Sequence, residues 1–302
     1  MPNNKKNRSK EKKQARFAAR TGDVPPSVQE AEGRIKAANA TKDLSVGLEP
    51  FLAIDLPAPK SVTGAATPEP VRLKIRAPDT LEKGETKAMY DLLRNNMREL
   101  YMKAGWGWNA GEKYREMEHR DARFLIAECN GVGGGGNEIV DSDTRGGESV
   151  SSTDGTKREG LTAVGESKEA EGGGQGEARL AGYCHFRFAW DADENDDGEG
   201  VGGKEDVLYV YEIQVAPWAT RRGLGRRMMQ ALELLANRHF MTKVMLTVFK
   251  ENEQAMSFYT TKMRYCVDKD SPSNWDQPDE VYEILSKPTR HGLARARPQT
   301  TL

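Results

Sequence analysis

Between Val207 and Arg227 the chain carries residues whose types and spacing suit an anion. Arg221, Arg222, Arg226 and Arg227 bracket Gly223, Leu224 and Gly225. Glycines let a backbone approach a ligand closely. A turn that opens a helix points successive N–H groups outward, and the helix dipole adds partial positive charge. A phosphate-bearing ligand fits such a place, while a basic, solvated helix start is the plainer reading of the same letters. Upstream, Glu212 stands between Tyr211 and Ile213 in an otherwise apolar run, where a carboxylate is out of place unless it is partnered.

The elements that position these residues emerge from pattern. Val207 to Val215 is rich in β-branched and aromatic residues and predicts a strand. Pro217 ends its ladder because it has no N–H. Leu224, Met228, Ala231, Leu232 and Leu235 then recur on one helical face. Before this unit, a first strand is expected from Val71, and then a helix capped by Thr80 and running through Leu100 to end near Gly105. A helix over 110–120 and strands over 123–129 and 180–188 come next. After it come a strand at 243–250, a helix at 252–263, a short strand near Tyr265 and a last strand at 281–287. The tail from Pro288 is expected to fray. The mixture predicts an α/β fold with a mixed sheet.

Composition bounds the rest. The 302 residues suffice for one large domain or two small ones, and a net charge of −1 gives no bulk attraction to nucleic acid. Residues 1–30 form a basic tail, expected to be disordered. Eight Lys or Arg crowd into its first 22 positions, as an import address, a polyanion-binding arm or a solubilising tail would have them. Residues 31–70 read as an N-terminal segment with a short helix at Glu32–Ala40. The main domain spans 71–290, and 291–302 is a tail. Two insertions interrupt the domain. Residues 130–178 carry fourteen Gly and almost nothing large and apolar, so they cannot offset their ordering entropy. Residues 191–206 hold eight carboxylates and one Lys, a solvated loop or an attractor of basic substrates. Cys129, Cys184 and Cys266 lie in apolar runs, which predicts reduced, buried thiols. No zinc spacing, secretory leader or apolar run of roughly 18 residues is expected to add a metal site or a membrane span.

The turn and the helix and strand after it resemble the acetyl-CoA-binding segment of the GNAT N-acetyltransferases. Gly223 and Gly225 fit the glycine positions of that pattern, Thr220 stands where the family has Arg or Gln, and the arginines come one and two places later. Asn252, Ala255, Phe258 and Tyr259 match the next helix of the family, with Met263 in place of its usual Gly. Within the family the chain is most similar to the NatD-type N-alpha-acetyltransferases. Leu100–Tyr101, Trp106–Gly107–Trp108, His185 to Phe188, Val207 to Glu212, Lys243 to Lys250 and Tyr282 to Ser286 carry that likeness. Ala189 replaces an Asp of the NatD pattern, and Asp191 lies two residues on.

The resemblance implies a GNAT fold, with a mixed, mostly antiparallel central sheet flanked by helices. It also implies acetyl transfer from acetyl-CoA, without a metal, to the terminal amine of a histone-type Ser-Gly-Arg-Gly peptide. The catalytic set it points to is Glu212 as base with Tyr211 and Tyr209. Tyr101, Trp106, Asp191 and Tyr282 would hold the peptide, with Asp191 facing its third-position arginine. Ile213, Gln214 and Val215 would pair with the pantetheine arm. Arg221, Arg222, Gly223, Leu224, Gly225 and Arg226 would hold the pyrophosphate, and Asn252 and Tyr259 would lie by the thiol. A monomer of the nucleus and cytoplasm is expected, with ribosome or nucleic-acid contact through the basic tail. A GNAT acting on lysine side chains or small amines, and a catalytically weak chromatin-binding module, remain the other readings of the residues.

Overall fold

The structure is a computed structural model, and it describes residues 26–58, 67–129, 178–191, 205–275, 277 and 279–296. The basic tail up to residue 25, most of both insertions (130–177 and 192–204) and residues 297–302 lie outside the described residues.

An eight-stranded sheet organises the described residues, in the order β1-β2-β3-β4-β5-β6-β8-β7. The strands are β1 (Ala53–Leu56), β2 (Glu69–Arg76), β3 (Arg123–Cys129), β4 (Arg179–Trp190), β5 (Asp206–Val215), β6 (Lys243–Phe249), β7 (Cys266–Val267) and β8 (Tyr282–Pro288). Every neighbouring pair is antiparallel except β5 and β6, so the sheet is mixed as its residues predicted. The parallel pair needs a crossover. Helix α4 (Leu224–Arg238) supplies it, and its apolar stripe of Leu224, Met228, Leu232 and Leu235 is fully buried.

Strands β3 and β4 are apolar almost throughout because both faces of the sheet are covered. Leu125, Cys184, Phe186, Leu208 and Val210 point to the α4 side, where α1 (Pro26–Ala40) also packs through Ala38. Phe124, Ile126 and Tyr183 point to the other side, under Met89 and Leu93 of α2 (Glu85–Lys103) and Met117 of α3 (Ala110–Met117).

The structure departs from the sequence expectation at several ends. The sheet begins at Ala53 rather than Val71, because β1 adds to β2 and is clamped there by Arg222. Helix α1 starts at Pro26, six residues ahead of the expected Glu32. Thr80 caps a single 3-10 turn, its hydroxyl accepting from the Ala77 N–H, and α2 starts only after Gly84, whose φ is 94°. The helix expected over 252–263 is α5 (Glu253–Ser257) running into a π turn at Phe258–Lys262. The tail after Pro288 forms α6 (Arg290–Arg295), capped by the Thr289 hydroxyl accepting from Gly292 N. None of the three cysteines is in a disulfide, but only Cys184 is buried: Cys129 is half-buried and Cys266 is exposed on the edge strand.

Candidate active site

The β5–β6 ladder runs from Val207–Lys243 to Val210–Leu246 and stops. Both strands continue, β5 to Val215 and β6 to Phe249, and among the described residues no strand pairs with this edge of β5 from Tyr211 onward. Apart from Val215 O, which accepts from Asn96 Nδ2 at 3.3 Å, backbone groups along that edge are therefore open to a partner that can hydrogen-bond like a strand.

At the mouth of this opening β5 carries a bulge. His185 faces Glu212 while Phe186 faces Val210, which leaves Tyr211 as the extra residue. Simple alternation would put Tyr209 and Tyr211 opposite Glu212. The bulge shifts the count by one, as bulges beside sites do. Leu208, Val210, Ile213 and Val215 consequently meet the α4 core, while Tyr209, Tyr211, Glu212 and Gln214 face the α2–α3 side. The contacts agree. Tyr211 stacks on His185 at 4.9 Å and lies 4.9 Å from Tyr209. Tyr101 Oη of α2 is 3.4 Å from Glu212 Oε1, and Gln214 Nε2 donates to Glu212 Oε2 at 3.0 Å. Glu212 is 9 % exposed. Burial pushes its carboxyl above the ordinary range, and Lys113 and the Gln214 hydrogen bond pull back against that.

An aromatic wall continues from Glu212 across the opening. Tyr101 packs on Phe249 at 5.1 Å, Trp106 on Phe249 at 4.9 Å, and Trp106 on Tyr282 at 5.4 Å. Trp106 stays 39 % exposed, so the wall is reached from solvent. Phe249 and Tyr282 are cross-strand partners at the ends of β6 and β8. Sequence reasoning brought Tyr101, Trp106 and Tyr282 together correctly in space but missed Phe249, which ends the apolar run of β6 just before Asn252. Tyr209 bridges the strands instead of facing the opening with a free hydroxyl, since its Oη shares a 2.6 Å hydrogen bond with Thr247 Oγ1.

The opposite face holds the glycine turn. Gly223 has φ +91° and precedes α4 without a side-chain cap, so the first N–H groups of that helix keep their donors. Arg221, also left-handed at φ 59°, and Arg226 are exposed beside it. A Cβ on Gly225 would sit 3.7 Å from Phe258 and 3.8 Å from Val215, so the helix start, the end of β5 and the π turn after α5 converge here. Backbone donors, an open strand edge and two exposed guanidinium groups suit a long ligand with a phosphate end.

Several expected residues have side chains committed to other contacts. Arg222 turns away from the turn's open side: its guanidinium donates to Pro57 O at 2.6 Å and Leu56 O at 3.1 Å and pairs with Glu69. Leu224 is core. Asn252 Oδ1 is spent as the N-cap of α5, accepting from Ala255 N. The Gln214 side chain serves Glu212 and is itself held by Asn96, whose Nδ2 donates to Gln214 Oε1 at 2.9 Å. Asp191 lies at the far end of β4, six positions from His185, the partner of Glu212. Its carboxylate meets Lys243 at 3.1 Å, beside Asp268 and Glu205 on the same lysine. The carboxylate is thus committed to a buried ion pair at the end of β4 away from Glu212. Tyr259 is buried, with its hydroxyl pushed well up by burial.

Lys113 of α3 was not foreseen. Its Nζ lies 2.9 Å from Tyr101 Oη, 3.0 Å from Glu116 Oε2 and 3.4 Å from Glu212 Oε1. In the sequence it is one lysine of a polar helix, and nothing local marks it.

The Acetyltransferase (GNAT) family model matches residues 157–264, a stretch that contains β4, β5, α4, β6 and α5. The chain has the GNAT acetyltransferase fold. GNAT acetyltransferases use acetyl-CoA, and the glycine turn and open β5 edge fit that co-substrate. The chain is also similar to solved structures. One is Arabidopsis thaliana NAA60 in complex with a bisubstrate analogue, at 9 % identity over 72 % of this chain and 99 % of that one, TM-score 0.40. Another is Chaetomium thermophilum Naa20, also with a bisubstrate analogue, at 23 % identity over 40 % and 66 %, TM-score 0.30. A third is the PaiA N-acetyltransferase of Thermoplasma acidophilum with coenzyme A, at 13 % identity over 72 % and 98 %, TM-score 0.36.

Proposed function

We propose that the protein transfers the acetyl group of acetyl-CoA to the α-amino group of an N-terminal serine on histone-type Ser-Gly-Arg-Gly peptides, the NatD-type reaction. The observation that carries the reading is the bulge at Tyr211. It aims Glu212 at the aromatic side of the β5–β6 opening, while the glycine turn lies on the other side. Reactants held on opposite faces would meet through the gap, which replaces a bimolecular encounter by a positioned one.

On one face, the backbone N–H groups of Gly223 to Arg226 and the side chains of Arg221 and Arg226 would bind the pyrophosphate. The open edge at Ile213 to Val215 would run beside the pantetheine arm. On the other face, Tyr101, Trp106, Tyr282 and Phe249 would enclose a small first residue. Glu212 would accept the amine proton, directly or through a water. Its raised basicity suits that task. The amine nitrogen then forms a bond to the acetyl carbon, the carbon–sulfur bond breaks, and Tyr259, kept protonated by its burial, would return a proton to the thiolate. A free α-amine, with a pKa of about 7.7–8.0, gives up its proton far more readily than a lysine at about 10.4. The same proposal includes a basic peptide partner, action as a monomer and residence in nucleus and cytoplasm.

A paired assay tests it. A Ser-Gly-Arg-Gly peptide with a free amino terminus should be acetylated, read by mass spectrometry, and an N-terminally blocked copy carrying a lysine should not. Acetylation of the blocked peptide would move the reading to a lysine acceptor. Salt-dependent DNA binding without acetyl-CoA binding would move it to a chromatin-binding module.

A further inference from the structure

We propose that Lys113 is a positioning residue for Glu212, its ammonium keeping the buried carboxylate charged and aimed at the opening. The inference rests on the reading of Glu212 as the proton acceptor and adds the group that makes it one. A carboxylate shut away from water on an aromatic face takes up a proton unless a cation or hydrogen-bond donors hold it. Glu212 has both. Gln214 donates to Oε2, and Asn96 fixes the direction of that amide by donating to Gln214 Oε1. Lys113 stands against Oε1 at 3.4 Å.

Lys113 is built into its place. Its side chain is nearly enclosed, 4.7 Å from the Tyr101 ring centroid and 2.9 Å from that tyrosine's hydroxyl. Burial, the largest single influence, pulls Lys113 down. The carboxylates of Glu212 and Glu116 and the Tyr101 hydroxyl together outweigh it, and the amine stays charged. Glu116 competes for the same ammonium at 3.0 Å and, being negative, opposes the charge on Glu212. The other titratable groups around Glu212 are Tyr183, His185 and Arg187 on β4, Tyr209 and Tyr211 on its own strand, and Tyr259 beyond it. His185 is held neutral by burial. The Arg187 guanidinium is committed to the Tyr211 ring and to Glu116 O. Among the described residues, Lys113 is therefore the cation in contact with Glu212.

The test titrates Glu212 by carbon NMR of its side-chain carboxyl in wild type, Lys113→Met and Glu116→Gln. It also measures the pH profile of kcat/KM on the free Ser-Gly-Arg-Gly peptide and the affinity for acetyl-CoA. Lys113→Met should move the Glu212 titration and the acid limb of the profile up by about one to three pH units, the usual worth of an adjacent opposite charge. Glu116→Gln, at a half-exposed position that threatens the fold little, should move both down. Lys113→Arg should restore the wild-type limb. If Lys113→Met does not fold, Lys113→Gln and Glu116→Gln decide the sign. Unchanged titration in a folded, acetyl-CoA-binding Lys113→Met or Lys113→Gln protein, or an upward shift in Glu116→Gln, would overturn the proposal. A shifted carboxyl titration in a protein that acetylates no peptide would instead uphold Lys113 and sink the proposed reaction.

Discussion

Arg222 and Arg226 are four residues apart in one basic turn, yet the structure gives them opposite work. Replacing Arg222 with Leu removes the donors to Leu56 O and Pro57 O and the pair with Glu69. Hydrogen bonds from a charged group contribute about 1.5–3 kcal/mol each. The Glu69 side chain is 42 % exposed, so that pair adds less than about 1 kcal/mol. Two carbonyl bonds at the low end of their range give a loss of about 3 kcal/mol. For a domain of this size that lowers Tm by roughly 6–12 °C. Acetyl-CoA affinity, measured by calorimetry below the melting range, should stay within about threefold, since the Arg222 side chain points into the β1–β2 end. Arg226→Ala should do the reverse: Tm unchanged, and affinity down roughly tenfold or more through loss of one charge-assisted phosphate contact. An Arg222→Leu protein with wild-type Tm and a tenfold loss of acetyl-CoA affinity would refute the assignment of this arginine to the clamp.

Two further substitutions probe the same geometry. Gly225→Ala should fold and bind acetyl-CoA, because its Cβ meets neighbours only at ordinary contact distance. The double change of Gly223 and Gly225 to Val should abolish the Tm rise that acetyl-CoA gives wild type, by straining a φ of +91° and closing the backbone approach. At the other end of β5, burial raises the Asp191 carboxyl to about 6 despite Lys243. A raised pKa means that the charged form costs stability above pH 6 and that the cost fades as pH falls through 6. Asp191→Asn should therefore raise Tm at pH 8, raise it by less at pH 5 and give no gain below about pH 3.9, the ordinary carboxylate value, and catalysis should be unaffected; a fall in kcat/KM would return Asp191 to the substrate site.

The strands and helices around the turn were legible because their apolar periodicity is strong and their ends are marked by Pro217, Gly223 and Gly225. Strand β1 was not, since its four residues, in a stretch bounded by Pro50 and Pro57, carry too little pattern and owe their place to pairing with β2 and to Arg222. The site was legible where a residue breaks its local pattern, as Glu212 does in an apolar strand. Which face Glu212 takes was not, because a one-residue bulge reverses alternation without changing composition. The direction of a side chain within a motif was equally hidden: Arg222 and Arg226 read alike until Leu56 and Pro57 are seen beside one of them. Lys113 and Asn96 come from helices that are remote in sequence, and only the packing of α2 and α3 on β5 brings them to Glu212 and Gln214.

The role of Glu212 is tested most directly by the pH dependence of kcat in Glu212→Gln. The glutamine keeps the size of the side chain, and its one carbonyl oxygen can still accept from either Lys113 or Gln214. Fold and acetyl-CoA affinity should therefore hold, while kcat at neutral pH falls by roughly 10²–10⁴-fold, the worth of a positioned base. The defect should shrink as pH rises past about 8, where the peptide's amine is already neutral. A stable Glu212→Gln protein with wild-type kcat at neutral pH, or one whose defect is the same at every pH, would contradict the account.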